Sequence, residues 1–198
     1  MSHKDVLFTK IVSESWEKLK KSSLQNHSTC RNMLISSYGK DSICASTVVL
    51  RAVDEATKKI FFYTDLRSEK TENLRRDGRI TTLFYDDADK IQLILKGDAT
   101  IHNQDELTEL HWNALNDNGK TAYMAQPGPS SKIGGPVNGL EYINPENMFD
   151  ALIKGYQNFA IVSISVNFLE WLKLSRDGNR RACFNLINNN WEGQWLVP

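Results

Sequence analysis

The sequence feature that most constrains the fold is a series of short runs in which apolar and polar residues alternate, separated by polar turns. The first five runs cover residues 31–37, 43–54, 58–65, 79–86 and 90–102. A period of two places successive side chains on opposite faces of a β-strand. Short turns between such runs produce hairpins, in which the strands pair antiparallel. Later runs at residues 159–174, 181–187 and 191–197 continue the pattern, and we expect six or seven of these eight runs to form the strands of an antiparallel barrel.

Helical periodicity is found before and between these runs. Apolar residues three and four positions apart predict an amphipathic helix over residues 5–22. Ser68, followed by an acidic first turn, and Gly78 bracket a second helix at Glu69–Arg76. Further helices are predicted over residues 104–116 and around residues 148–153, on either side of a segment rich in proline and glycine.

Length and element order predict a single domain. A chain of 198 residues is within the usual size of one domain. Its expected parts are the N-terminal helix at 5–22, a barrel core at about 31–103 and C-terminal strands at about 159–198, all within one domain over residues 1–198. Because closing an antiparallel sheet removes its exposed edges, we expect an α+β, mainly β fold in which a barrel is flanked by helices.

Composition argues against several classes of protein. Basic and acidic residues number 24 each, so the formal net charge is zero, whereas nucleic-acid-binding proteins usually carry a strong positive excess. No stretch approaches the ~20 apolar residues of a membrane span. We therefore expect neither a nucleic-acid nor a membrane partner.

The cysteines and histidines indicate the compartment and argue against a metal site. The three cysteines have no CxxC spacing, which is typical of a reducing compartment such as the cytoplasm. The four histidines lack the spacing of a zinc site.

Hydroxyl and basic residues gather at the start of the second predicted helix. A helix N-terminus offers free backbone N–H groups and a positive dipole, to which Ser68 adds a hydroxyl and Arg67 and Lys70 add charge. Thr64 ends the preceding strand, and Arg51 ends a neighbouring strand. These groups fit a phosphate cradle. They also fit an ordinary N-cap with solvated surface charges, since caps greatly outnumber anion sites.

The order of several motifs adds to these local signals. Gln92, taken alone, reads as an outward polar residue on an alternating strand. In chain order, however, the motifs resemble those of the pyridoxamine 5'-phosphate oxidase-like FMN-binding split barrels over most of residues 31–103. They are Val48-Val49-Leu50-Arg51, Phe62-Tyr63-Thr64-Asp65, Arg67-Ser68-Glu69-Lys70, and Gln92 followed by Gly97-Asp98-Ala99.

The resemblance implies a split β-barrel that binds flavin mononucleotide (FMN) at the interface of a homodimer. The side chains it places near the ribityl phosphate are Thr64, Ser68 and Lys70. The residues whose backbone would border the isoalloxazine ring are Val48, Val49, Leu50 and Arg51. The side chains that would contact the flavin are Arg51 and Gln92. The residues that would complete the site are Ser130 from the second subunit and, on the far side, Trp171 and Arg181.

The chain departs from the family's namesake oxidase on the substrate side. That enzyme has an arginine where this chain has Ser46, and a C-terminal R-x-H motif where this chain has Asn179-Arg180-Arg181. The resemblance therefore implies FMN-dependent oxidation or reduction of an unidentified small molecule, with no side chain assigned as catalytic. Two alternatives stay open: an authentic pyridoxamine 5'-phosphate oxidase, which the missing histidine opposes, and a non-catalytic protein that binds flavin or haem.

Overall fold

The computed structural model describes residues 3–198, so the first two residues of the predicted domain lie outside the described residues. Residues 3–198 form five helices and eight strands. The helices are α1 (His3–Leu24), α2 (Glu69–Arg76), α3 (Glu106–Ala114), α4 (Asp117–Met124) and α5 (Met148–Asn158). The strands are β1 (Asn32–Tyr38), β2 (Ile43–Asp54), β3 (Lys59–Asp65), β4 (Arg79–Asp86), β5 (Ile91–His102), β6 (Phe159–Lys173), β7 (Arg180–Ile187) and β8 (Asn190–Leu196). Within this part of the chain, no helix has the length and hydrophobicity needed to cross a membrane.

The strands form one antiparallel sheet that closes on itself. The strand order is β3-β2-β1-β4-β5-β6-β7-β8, and β3 also pairs with β6, which closes β1–β6 into a barrel. The first half of β6 pairs with β3, whereas its second half pairs with β7. The predicted α+β, mainly β split barrel is therefore confirmed. The closed barrel has six strands, as the prediction of six or seven allows, and β7 and β8 extend the sheet beyond it.

Helix α1 contributes one side of the main hydrophobic core, as its periodicity predicts. Its buried apolar residues are Phe8, Ile11, Val12, Trp16 and Leu19. They pack with inward-facing barrel residues and with Ala182 and Phe184 of β7, so α1 joins the barrel to its extension. Lys18 forms ion pairs with Asp86 and Asp89, and these contacts connect the same helix to the β4–β5 turn of the barrel.

Helices α3 to α5 cover the outside of β3 and the first half of β6. A second buried cluster lies beneath them and contains Trp112, Tyr123, Phe159 and Ile161. The prediction of one helix over residues 104–116 is wrong at its C-terminal end. Leu115 adopts an extended conformation, and the Asn116 side chain accepts a hydrogen bond from the backbone N–H of Gly119, which starts the separate helix α4.

The outer surface of β1, β2 and β4 carries exposed apolar side chains. Successive residues of a strand point to opposite sides, so Phe84 points into the barrel and its neighbour Tyr85 points outward. Four large outward-facing side chains are Leu34 (41% exposed), Tyr38 (50%), Ile43 (70%) and Tyr85 (41%). We call the surface that these four residues define the outer face.

Candidate functional site

Two buried hydroxyl groups lie at the junction of β3 and α2. Ser68 is the N-cap residue of α2, but its side chain makes no capping hydrogen bond. Its Oγ lies 3.2 Å from Oγ1 of Thr64, and the two residues are 4% and 6% exposed. Ordinary capping therefore does not account for the Ser68 hydroxyl. Together with Thr64 it forms a polar pair at the positive end of the helix dipole.

The two basic residues of this segment have different surroundings. Arg67 is held by Asp65, with Nε 2.9 Å from Oδ1 and Nη2 2.7 Å from Oδ2, and it donates to the carbonyl oxygen of Ala125 at 3.0 Å. Lys70 is half-buried, and no residue among 3–198 forms a hydrogen bond or ion pair with its ammonium group. Burial lowers the pKa of Lys70, while the charges of Asp65 and Glu69 act in the opposite direction. Lys70, unlike Arg67, is available to pair with an anionic ligand.

Arg51 lies at an irregularity between β2 and β3. The pairing register shifts between Leu50 and Ala52, and a bulge of this kind re-aims the side chain it contains. The guanidinium carbon lies 5.0 Å from the ring centroid of Tyr63. The Arg51 Nε is buried, and among residues 3–198 it has no hydrogen-bond acceptor. Since buried N–H groups in native proteins almost always have a partner, this donor calls for an acceptor from outside the described residues.

Gln92 and Arg181 lie in one row on the outer side of the sheet. Gln92 of β5 pairs with Leu172 of β6, and Leu172 pairs with Arg181 of β7. Directly paired residues project to the same face. Arg181 also donates to the buried carboxylate of Glu170, through Nε at 3.0 Å and Nη2 at 2.8 Å. Val49 projects to the same outer side from β2, where it is half-buried.

Val48, Leu50 and Trp171 project to the inner side. Leu50 is fully buried in the main core and Val48 packs against that core, so only their backbone atoms are available to a ligand on the outer side. Trp171 packs on the same core and lines a cleft of about 320 Å³ beside α1. Strand alternation therefore separates Trp171 from Gln92 and Arg181 of the same chain.

Ser130 lies in the long loop between α4 and α5. It lines a cleft of about 240 Å³ together with Asp65 and Arg67. Its φ of 63° is in the left-handed region, which is unfavourable for a residue other than glycine. Gly128 of the same loop packs so closely on Arg67 that an added Cβ would lie 3.3 Å from its Nε. Within one chain, this loop therefore lies beside the N-terminus of α2.

Comparison with known proteins assigns the chain to a family. A family model described as pyridoxamine 5'-phosphate oxidase matches residues 21–137, which is more than half of the 198 residues. The chain belongs to the pyridoxamine 5'-phosphate oxidase family. The match includes the β2, β3 and α2 residues described above but ends before Trp171 and Arg181. A search of curated proteins found no match.

Solved structures share the split-barrel fold at low sequence identity. A pyridoxamine 5'-phosphate oxidase-related, FMN-binding protein from Nostoc punctiforme is 17% identical over 96% of each chain, with a TM-score of 0.74. PhzG from Burkholderia lata, solved with tetrahydrophenazine-1-carboxylic acid, is 14% identical over 100% of this chain and 94% of that chain, with a TM-score of 0.67. A protein related to general stress protein 26 from Clostridium acetobutylicum is 14% identical over 87% and 93% of the two chains, with a TM-score of 0.54. At these identities the likeness establishes the oxidase-family fold.

Two residues that contact the family's motif positions were not predicted from the sequence. Glu170 contacts Arg181 across the β6–β7 pair, and His111 of α3 contacts Tyr63 of β3. The Glu170–Arg181 contact depends on the register of the β6–β7 hairpin, and the His111–Tyr63 contact joins residues 48 positions apart, so no local spacing predicts either one. One local signal for the first contact is the charge of Glu170 within an apolar run. The residue is 8% exposed, and a buried carboxylate requires a partner.

A second polar cluster in this oxidase-family chain contains a serine, a histidine and an aspartate that are connected by hydrogen bonds as in a hydrolase triad. His102 lies 2.9 Å from the Ser163 Oγ through Nε2 and 3.1 Å from the Asp105 Oδ2 through Nδ1. Ser163 is only 2% exposed, so a substrate cannot reach its hydroxyl. Asp105 also accepts a hydrogen bond from Thr108 and thereby caps α3. The cluster therefore joins β5, β6 and α3 and has no nucleophile that a substrate can reach.

Proposed function

We propose that this chain binds FMN at the interface of a homodimer and uses it to oxidise or reduce a small molecule. Membership in the pyridoxamine 5'-phosphate oxidase family supports the proposal. The structural neighbour from Nostoc punctiforme is itself described as an FMN-binding protein. We place the protein in the cytoplasm because Cys30, Cys44 and Cys183 are all free thiols, as expected in a reducing compartment.

The observation that carries the proposal is the set of unsatisfied polar groups around the N-terminus of α2. Lys70 is a half-buried cation that feels the charges of Asp65 and Glu69 but forms no hydrogen bond or ion pair among residues 3–198. Thr64 and Ser68 add two buried hydroxyls that, within this part of the chain, form a hydrogen bond only with each other. A phosphate dianion would satisfy the ammonium, both hydroxyls and the first backbone N–H groups of the helix. We assign this end of the site to the FMN phosphate.

The flavin ring is assigned to the outer side of the sheet. Arg51 offers a buried N–H without an acceptor among residues 3–198, and the pyrimidine ring of a flavin carries carbonyl acceptors. Gln92 and Arg181 lie in one row on that side. We assign Gln92 and the backbone of residues 48–51 to the ring, with Arg181 and Trp171 completing the site. Ser130 in this scheme comes from the second subunit.

The outer face supports a dimer. Its four apolar side chains, which are Leu34, Tyr38, Ile43 and Tyr85, are between 41% and 70% exposed. Contiguous apolar surface of this kind marks interaction sites in soluble proteins. The face is continuous with the side of the sheet that bears Val49 and Gln92, so a second copy seated there would also enclose the proposed flavin.

We therefore expect a dimer in solution. Sedimentation equilibrium should give the mass of two 22.6 kDa chains, and Leu34→Arg should shift the protein toward the monomer because it places an unpaired charge in the buried interface. Leu110→Arg is the matched control, since Leu110 lies on α3, is 68% exposed and is not on the outer face. A wild-type monomer that still binds FMN tightly would contradict the interface assignment.

The residues of the chain bind and orient the cofactor in this proposal, and none is assigned to proton transfer. When bound, FMN supplies hydride or electron transfer, while the protein positions it and tunes its electronics. Lys70 and the two hydroxyls fix the phosphate end, and Arg51 and Gln92 hold the ring. Seating a second copy on the outer face would exclude water from the ring.

Turnover separates an enzyme from a flavin-storage protein. FMN-loaded protein should bleach its flavin absorbance under anaerobic conditions when reduced nicotinamide is added, and recover the absorbance when air is admitted. Free FMN at the same concentration is the control for uncatalysed reduction. A loaded protein that is reduced no faster than free FMN would favour the non-catalytic binder over the oxidoreductase.

A further inference from the structure

Arg51, Tyr63 and His111 form a continuous stack from β2 through β3 to α3. The guanidinium carbon of Arg51 lies 5.0 Å from the centroid of the Tyr63 ring. The Tyr63 hydroxyl lies 2.6 Å from Nδ1 of His111. The two aromatic rings meet edge to face, with centroids 5.5 Å apart. We call these three residues the arginine stack.

Tyr63 provides the contact that orients Arg51. Within residues 3–198, the guanidinium forms no hydrogen bond or ion pair, and its buried Nε has no acceptor. Without a polar anchor, only packing restricts the rotamer freedom of this long side chain. Stacking over an aromatic face restricts that freedom by a cation–π interaction. Any change in the position of the Tyr63 ring therefore changes where the guanidinium points.

Tyr63 is itself held from two sides. Phe159 packs against it edge to face, with centroids 5.1 Å apart. His111 anchors its hydroxyl from α3. The hydroxyl and Nδ1 share one hydrogen bond, and burial lowers the pKa of His111 and raises the pKa of Tyr63, which favours the neutral form of both groups. This hydrogen bond fixes the outer end of the ring, on which Arg51 rests.

We propose that His111 is a positioning residue for the flavin site and that, through Tyr63, it holds the Arg51 guanidinium toward the bound FMN. The inference rests on the proposed FMN function and adds a residue outside the motifs of the sequence. His111 does not touch the cofactor in this scheme. Its effect on affinity passes entirely through Arg51.

A double-mutant cycle on FMN affinity tests the proposal. Arg51→Ala should weaken FMN binding by about ten- to a hundredfold, because it removes a charge-assisted contact. His111→Leu should weaken it by about two- to tenfold, the effect of one hydrogen bond. In the Arg51→Ala background, His111→Leu should have no further effect, since residues that act through one another are not additive.

Two further variants separate positioning from a general structural role. His111→Asn keeps an amide near the Nδ1 position that can accept from or donate to the Tyr63 hydroxyl, and it should retain wild-type affinity. Tyr63→Phe keeps the ring but loses the hydroxyl, and it should reproduce the affinity loss of His111→Leu even if the latter fails to fold. Leu110→Ala, on the same helix and 68% exposed, is the control expected to have no effect.

The outcomes are distinguishable. Additive losses for Arg51→Ala and His111→Leu, or Tyr63→Phe with wild-type affinity, would overturn the positioning role while leaving the FMN function intact. Wild-type protein that fails to bind FMN would overturn the proposed function and this inference with it. Non-additive losses that His111→Asn rescues would establish the arginine stack.

Discussion

Replacing Trp16 by alanine is expected to lower the free energy of unfolding by about 3–5 kcal/mol, the range for removing a buried aromatic side chain. Trp16 is 0% exposed and packs in the core that α1 shares with the barrel and with β7. Its ring also lies against Trp191 of β8, with centroids 6.5 Å apart. The cavity left by alanine would therefore loosen both the barrel and its extension. Urea unfolding followed by far-ultraviolet circular dichroism measures the change.

Two companion variants make the Trp16 experiment decisive. Leu110→Ala removes a side chain that is 68% exposed and should change the unfolding free energy by no more than about 0.5 kcal/mol. Trp16→Phe keeps most of the buried area and gives a measurable protein if the alanine variant fails to fold, since a domain has only about 5–15 kcal/mol in total. A Trp16→Ala variant within 1 kcal/mol of wild type, about the effect of an average substitution, would mean that α1 is not part of the core.

Replacing Lys70 by alanine is expected to weaken FMN binding by about ten- to a hundredfold. A charge-assisted contact with a phosphate contributes about 1.5–3 kcal/mol, which is about one to two decades in affinity. Lys70 is half-buried and has no ion-pair partner among residues 3–198, so its charge is available for this contact. Riboflavin lacks the phosphate, and its affinity should stay near the wild-type value. Calorimetric titration with both ligands gives the comparison.

Two variants serve as controls for Lys70→Ala, one that keeps the charge and one that removes a lysine elsewhere. Lys70→Arg keeps the positive charge and should retain most of the FMN affinity. Lys154→Ala removes an exposed lysine of α5 that is not assigned to the phosphate, and it should have no effect. If Lys70→Ala weakens FMN and riboflavin equally, Lys70 acts on the structure of the site and the phosphate assignment is wrong.

Local patterns were sufficient for most of the secondary structure. The predicted bounds of β2, β4 and α2 coincide with those of the structure, because alternation and capping signals act within a few residues. The closure of β3 onto β6 joins segments about a hundred residues apart, and no local pattern encodes such a pairing. The break between α3 and α4 was missed because the hydrophobic period continues to Leu115, while the capping role of Asn116 overrides it.

In the candidate site, too, local sequence predicts some features, whereas others depend on strand pairing. Thr64 and Ser68 are four residues apart, so a strand that ends next to a helix start was enough to place both hydroxyls in one region. The bulge that re-aims Arg51 depends on how β2 pairs with β3. Likewise, Trp171 and Arg181 lie on opposite sides of the sheet because of the register between β6 and β7. These features depend on tertiary pairing, so the sequence could name the residues but not the direction of their side chains.

The most direct test of the account is titration of the purified protein with FMN. We predict saturable binding at micromolar protein, with one FMN per chain and a shift of the visible flavin spectrum on binding. The result should be the same whether the protein purifies yellow or is stripped of flavin and reloaded. Calorimetry that detects no FMN binding at micromolar protein would contradict the central claim, because Lys70, Arg51 and the Thr64–Ser68 pair would then need another explanation.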